Sequence, residues 1–158
     1  MSTQRKKISH SKTEQVHILM PQDINGSGRL FGGVLMQWID VVAAVVARRH
    51  SGMDVTTASV GNLVFHAPAG MNDTIILIGK IVYVGRTSME VCVETFVEAL
   101  DGARTLVNRA YLVMVAVDQS GCTQEVPRLV TETEEEQAEY ELARKRHELR
   151  KVLKNKET

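Results

Sequence analysis

The sequence is poor in cysteine and proline and carries no net charge. Its two cysteines, Cys92 and Cys122, lie far apart without a CxxC pair, which indicates neither a disulfide framework nor a zinc site. There are 19 basic and 19 acidic residues, so no general charge argument favours binding to nucleic acid or a membrane. No stretch reaches the ~18 apolar residues that a membrane span requires. The basic start lacks the apolar segment of a secretory signal, and we expect a cytoplasmic protein with a flexible tail at residues 1–13.

What is present is a change of periodicity along the chain. Residues 14–20 predict a short strand, and residues 31–49 predict a helix that is apolar almost all round and therefore buried. Strand patterns follow, and the turn sequences GR and DG separate the last three of them. These strands are predicted at 55–68, 73–84, 87–100 and 103–118. We predict an α+β domain over residues 14–130, in which a curved antiparallel sheet wraps one central helix.

The last segment, residues 131–158, has the pattern of an additional charged helix. Two overlapping capping boxes begin it, Thr131 with Glu134 and Thr133 with Glu136. Acidic residues fill its first turns and basic residues its last turns, which matches the helix dipole. We expect a surface helix that lies along the domain or along a neighbouring subunit.

Two polar residues, Gln37 and Asp40, interrupt the buried helix. They are three residues apart and share one face. A carboxylate there loses hydration and needs partners. It is either a structural group satisfied by nearby hydroxyls and amides, or a functional one.

Two glycines stand at the start of the same helix. The N–H groups of Gly32 and Gly33 face outward without intrahelical partners, and a substrate atom can approach them closely, which suits binding of an oxyanion. A plain tight turn has the same pattern, but Asn25 and Asp40 make the set more specific. Gly33 and Asp40 are separated by roughly 10 Å of helix, which is long for two groups acting on one carbonyl carbon. Pairing across a two-fold interface would bring Asn25 and the helix N-terminus of one subunit to Asp40 of the other.

The spacing N-x-x-G-x-x-x-G-G-x-x-x-x-x-x-D over residues 25–40 resembles the signature of the acyl-CoA thioesterases with the hotdog fold. Further matching segments follow in the order of that family, and the resemblance spans roughly residues 14 to 150. These segments are FHAPAGMND (65–73), VGRTSMEVCVE (84–94), VAVDQSG (115–121) and VPRL (126–129). The resemblance implies a hotdog domain that pairs its sheet edge to edge in a homodimer and often forms a hexamer. It places the active sites at the dimer interface.

The resemblance also implies roles for individual residues. Asn25 and Asp40 match a catalytic pair contributed by different subunits, with Asp40 as general base or nucleophile and Asn25 orienting water or holding the thioester. The N–H of Gly33, with or without that of Gly32, would bind the oxyanion. Relatives often carry a histidine before the glycine pair, where this chain has Phe31.

For the coenzyme A part of the substrate, the resemblance implicates the turn after the second long strand. This turn consists of Gly85, Arg86, Thr87 and Ser88. Asn62 is a further candidate for contact with pantetheine. No metal and no cofactor are expected, because CoA is part of the substrate and the product. The expected partners are acyl-CoA and further copies of the chain.

Two other functions remain open at the level of the sequence. A hotdog domain can bind acyl-CoA as a sensor without hydrolysing it. A hotdog dehydratase would act on a hydroxyacyl thioester, but the FGG segment and central helix supply no histidine for that chemistry.

Overall fold

One long helix packs on one face of a five-stranded antiparallel sheet. The computed structural model describes residues 3–61 and 63–157. Its elements in chain order are β1 (Arg5–Lys7), β2 (Thr13–Ile18), α1 (Gly32–Ser51), β3 (Asp54–Val60), β4 (Thr74–Val84), β5 (Ser88–Glu98), β6 (Arg104–Val117), β7 (Arg128–Val130) and α2 (Glu134–Glu157). The large sheet has the order β2-β4-β5-β6-β3, and α1 contacts all five of its strands.

The central helix forms where the apolar pattern predicted it. Its buried side chains include Leu35, Ile39 and Val42, which pack into one core with the sheet. Gly52 ends the helix in the left-handed conformation, at φ 70°, and its N–H donates to the Arg48 carbonyl at 2.8 Å. A side chain at Gly79 of β4 would come within 2.6 Å of Val42, so this glycine lets the helix approach the sheet closely.

The predicted meander of three long strands is confirmed. β4 pairs antiparallel with β5, and β5 pairs antiparallel with β6. On β5, the predicted alternation places Met89, Val91 and Val93 in the core beneath α1. Glu90 and Cys92 point to the other face of the sheet and are buried as well. Because that second face of the sheet is partly covered as well, β5 has buried side chains on both of its faces.

The helix α2 provides this cover. Ala143 packs with Val82 and Cys92, and burial raises the pKa of the Cys92 thiol to about 12. Lys80 on β4 forms an ion pair with Glu139 of α2 at 2.8 Å. Within the described residues, no helix is long and apolar enough to cross a membrane.

Two predicted boundaries are wrong. Residues 1–13 are not a flexible tail throughout, because β1 pairs in parallel with β7 and Ile8 is buried in the main core. The strand predicted at 55–68 ends at Val60, after a bulge between Thr57 and Ser59. After Val60, the residues Val64, Phe65 and His66 make single contacts to β6. One of these contacts is the bond from the Asn108 side chain to the Val64 carbonyl, at 2.7 Å.

A buried histidine fastens the end of α1 to the segment before β7. His50 Nε2 donates to the Pro127 carbonyl at 2.8 Å, and burial lowers the pKa of His50 below its ordinary value of 6.5. The native state therefore favours the neutral ring, while the unfolded chain takes up a proton more readily as the pH falls through 6.5.

We accordingly expect the free energy of unfolding to decrease from about pH 7.5 to about pH 5.5, and to decrease less in His50→Asn, whose amide stays neutral. Urea unfolding at both pH values measures the difference. His66→Asn, at an exposed histidine, is the control and should keep the decrease of the wild-type protein. Equal decreases in the wild-type protein and His50→Asn would contradict this role for His50.

Candidate functional site

The loop before α1 is held together by the side chain of Asn25. Its Oδ1 accepts from the N–H groups of Ser27, at 2.9 Å, and Arg29, at 3.1 Å. Gly28 lies between them in the left-handed conformation, with φ 75°, which explains the glycine at this position of the sequence signature. Since Oδ1 is occupied by the loop, the Nδ2 amide is the group that Asn25 can offer to a ligand.

The N-terminus of α1 is open to solvent. No side-chain oxygen caps it, and the N–H groups of Gly32 and Gly33 have no acceptor among the described residues. Gly32 and Asn25 line a cleft of about 400 Å³, together with apolar side chains that include Phe65 and Val107. The cleft therefore combines unpaired backbone donors with an apolar wall, as binding of an acyl carbonyl requires.

The ring of Phe31 is placed beside this helix end. It is half exposed, and one of its ring carbons lies 2.8 Å from where a side chain at Gly33 would begin. Phe31 therefore contributes a hydrophobic surface and no hydrogen-bonding side-chain group at this helix end.

The Asp40 carboxylate lies farther along α1 and faces β3. Its Oδ1 accepts a hydrogen bond from the Thr57 hydroxyl at 2.7 Å, and Asp40 is only half buried. The sequence analysis did not identify Thr57. The sequence does show a threonine in the strand that follows the helix carrying Asp40. This pattern is too common to predict a contact between the two side chains.

The structure keeps these two groups apart within one chain. Asp40 is not among the residues that line the cleft containing Asn25 and Gly32. This agrees with the spacing along the helix, which put two turns between Gly33 and Asp40.

The turn that was predicted to contact coenzyme A is also distant from the cleft. Gly85 and Ser88 close the turn with a backbone bond of 2.9 Å, and Gly85 is packed against Ser88 and His147. Arg86 is exposed and lies 3.8 Å from Glu125, while Thr87 accepts from the Ala116 N–H through its carbonyl. The turn lies beyond one end of β4, whose 11 residues span roughly 35 Å, and the cleft lies near the other end at Gly70. Asn62, the remaining predicted contact, lies outside the described residues.

Strand β3 provides an open edge beside the Asp40 carboxylate. Among the described strands it pairs only with β6, and its residues from Thr56 to Val60 are all exposed. Three apolar residues near these elements are exposed as well: Val41 follows Asp40 in α1, and Val64 and Phe65 come after β3 and contact Asn108 of β6. An unpaired edge with apolar neighbours is suited to pairing with another strand.

A curved five-stranded antiparallel sheet wrapped around one long helix is the architecture of a hotdog domain. The model of the thioesterase superfamily matches residues 27–105. An uncharacterized acyl-CoA thioester hydrolase of Bacillus subtilis (strain 168), YkhA, is 40% identical over 127 residues, which cover 80% of this chain and 74% of that protein. The chain belongs to the thioesterase superfamily.

Other relatives support the same family. The cytosolic acyl coenzyme A thioester hydrolase of Mus musculus is 32% identical over 145 residues, covering 89% of this chain and 38% of the mouse protein. A hexameric acyl-CoA thioesterase has a TM-score of 0.90 and 40% identity, covering 94% of this chain and 96% of that one. Acyl-CoA hydrolase from Staphylococcus aureus, in complex with butyryl coenzyme A and coenzyme A, has a TM-score of 0.90 and 33% identity, covering 97% and 94%. The fold class implied by the sequence is confirmed.

Proposed function

We propose that this protein hydrolyses acyl-CoA to a free carboxylic acid and CoA, at a site formed by two copies of the chain. The observation that carries the composite site is the position of Asp40, outside the cleft of its own chain and beside the open edge of β3. Membership of the thioesterase superfamily and similarity to hydrolases of acyl-CoA support the reaction. The binding of butyryl coenzyme A by the S. aureus enzyme supports the substrate class.

The composite site follows from edge-to-edge pairing of two β3 strands. Such a pair runs antiparallel about a two-fold axis, so each helix α1 would approach the other sheet's edge. The cleft with Asn25 and Gly32 of one copy would then lie near Asp40 of the other. The hexamer seen for a relative at 40% identity supports assembly of this chain into dimers and larger oligomers.

The same pairing suggests a place for the coenzyme. Along β3, Val60 lies toward the end of the sheet that holds the cleft, and Asp54 pairs with Val117 toward the end that holds Arg86. An antiparallel edge pair therefore brings the Arg86 end of one copy to the side where the other copy has its cleft. The turn at Gly85–Ser88 could in this way reach the phosphates of a CoA whose acyl group lies in the neighbouring cleft.

Each group has one role in the proposed reaction. Asp40 removes a proton from water, and the resulting hydroxide attacks the thioester carbonyl carbon. The N–H of Gly33 stabilises the oxyanion, and collapse of the tetrahedral intermediate breaks the carbon–sulfur bond and releases the CoA thiolate, which takes up the proton held by Asp40. Alternatively, the Asp40 carboxylate attacks the thioester carbon and expels the CoA thiolate, and water then hydrolyses the resulting mixed anhydride to the free acid and the Asp40 carboxylate.

Two further observations support these roles. The Thr57 hydroxyl donates to one carboxylate oxygen of Asp40, which fixes the carboxylate and leaves the other oxygen for the water. The Asn25 amide, as a donor, suits the thioester carbonyl or the attacking water. Structures of S. aureus enzyme variants replace one aspartate, one asparagine or one threonine by alanine, the same three residue types.

Release of free thiol from acyl-CoA tests the proposed reaction. We expect multiple turnovers, read with a thiol reagent across a series of acyl chain lengths. Saturable binding of acyl-CoA without thiol release would instead support the sensor and would overturn the hydrolase. We also propose that the protein works in the cytoplasm, which the cytosolic mouse relative supports.

Replacement of Arg86 tests the contact with the coenzyme. Arg86 is exposed and pairs only loosely with Glu125, so its guanidinium can reach a phosphate. We expect Arg86→Ala to raise KM for acyl-CoA about tenfold and to leave KM for a short pantetheine thioester nearly unchanged. Arg104→Ala, at the opposite hairpin, is the control. Equal increases of KM for both substrates would contradict a contact between Arg86 and the phosphates of CoA.

A further inference from the structure

The helix α2 crosses the outer face of the sheet one strand at a time. Glu139 pairs with Lys80 of β4, and Ala143 packs on Cys92 of β5. The Arg146 guanidinium lies 4.0 Å from the ring centre of Tyr111 on β6. Arg150 then lines a surface cleft with Ser59 and Val60 of β3, the edge strand. The helix axis therefore points from the middle of the sheet toward the open edge.

The end of α2 extends past that edge. Residues 151–157 are helical and exposed throughout. Seven helical residues span roughly 10 Å, and neighbouring strands are about 4.8 Å apart, so this overhang reaches about two strand widths beyond β3. In the described part of one copy, no strand lies beyond β3 in the sheet.

Helical periodicity determines which residues of the overhang face the sheet side. Glu139, Ala143, Arg146 and Arg150 form one face, and Leu153 and Lys154 continue it at the next turn. Val152 lies about 200° around the axis from Arg150 and points away. Leu153 and Val152 are equally exposed, at 51% each, although only Leu153 faces the sheet side.

We propose that this overhang docks on the outer face of a second copy whose β3 pairs with this β3. The proposal rests on the edge-to-edge dimer of the proposed function. Because α2 passes over β3 near Val60, antiparallel pairing puts the overhang above the beginning of the partner subunit's β3.

The receiving surface is complementary in apolarity and in charge. Val115 and Val117 of β6 alternate with core residues, point outward and are partly exposed. They pair with Thr56 and Asp54 of β3, and Asp54 is exposed. The overhang carries three lysines and one glutamate. Leu153 thus packs on the partner subunit's Val115, and Lys154 faces the partner subunit's Asp54.

The test measures self-association of the full chain by sedimentation velocity over a dilution series. Leu153→Asp should raise the dimer dissociation constant at least about tenfold. Val152→Asp, in the same turn with the same exposure, should leave it near the wild-type value. Lys154→Glu and Asp54→Lys should each weaken the dimer, and combining them should restore it.

Three outcomes would overturn the proposal. They are equal effects of Leu153→Asp and Val152→Asp, no rescue by the charge exchange, and separation of a hexamer into intact dimers, which would place the overhang between dimers. Thiol release by the wild-type protein is assayed in parallel. If the wild-type protein hydrolyses acyl-CoA but both substitutions weaken the dimer equally, the proposed function is supported and the docking surface is wrong. If only Leu153→Asp weakens the dimer and the wild-type protein releases no thiol, the docking surface is supported and the proposed function is wrong.

Discussion

Substitution of Asp40 by asparagine is expected to reduce kcat for acyl-CoA hydrolysis by roughly 10²- to 10⁴-fold, the range for loss of a general base. Asparagine has nearly the same shape, and its carbonyl can still accept from the Thr57 hydroxyl, so the fold should be retained. KM should change little, because in the proposed reaction Asp40 activates the attacking water and holds no part of acyl-CoA. Thiol release under saturating acyl-CoA measures kcat, and sedimentation confirms the assembly.

A neighbouring polar residue gives the matched control. Gln37 is on the same helix, one turn before Asp40, and is exposed. Gln37→Ala should keep near wild-type activity. An Asp40→Asn protein that is correctly assembled and loses less than about tenfold in kcat would contradict the role of Asp40. For the active wild-type enzyme, a single turnover in ¹⁸O-labelled water separates the two mechanisms. A general base puts labelled oxygen into the product at once, whereas a nucleophile first transfers an unlabelled carboxylate oxygen.

Mixing two inactive variants is expected to restore activity. If each site uses Asn25 of one chain and Asp40 of the other, a dimer of Asn25→Ala with Asp40→Asn has one site with both defects and one intact site. Random exchange makes half of the dimers mixed, so activity should recover to about a quarter of the wild-type value. Mixed assemblies are obtained by denaturing and refolding the two variants together, and thiol release is compared with each variant refolded alone.

A second mixture of variants is the control for this recovery of activity. Asn25→Ala mixed with an Asn25→Ala, Asp40→Asn double variant should show no recovery, because no site then combines both native residues. Activity that stays at the background of the single variants after verified exchange would show that both residues act from one chain. The composite site would then be wrong, while hydrolysis by the wild-type protein would be unaffected.

The main elements of the fold could be predicted because each has a local signal. The helix α1 has a continuous apolar pattern with a glycine at each end, and the meander has turn sequences between alternating strands. The parallel pairing of β1 with β7 could not be predicted. It joins residues more than a hundred positions apart, and its short, charged sequence resembles a solvated tail.

The candidate site was only partly visible in the sequence. Asn25, Gly32, Gly33 and Asp40 belong to one short segment, so their spacing could be compared with helix geometry. The contact between Thr57 and Asp40 could not be predicted, because it depends on how β3 returns past α1, and no local sequence pattern determines that. The turn at Gly85 was correctly placed between strands, but its distance from the cleft depends on the length and direction of β4.

The buried carboxylate of Glu90 makes the C-terminal helix part of the folding unit. Glu90 is 2% exposed in the middle of β5, and Arg146 of α2 donates to its Oε1 at 2.9 Å. The helix α2 both covers this carboxylate and supplies its partner, and truncating Arg146 alone, which leaves Glu90 buried without that partner, should cost about 3–5 kcal/mol. The helix and the sheet should therefore melt in a single transition. A shortened chain that stops at residue 130 would keep every strand of the sheet, but its free energy of unfolding should be much lower than that of the full chain.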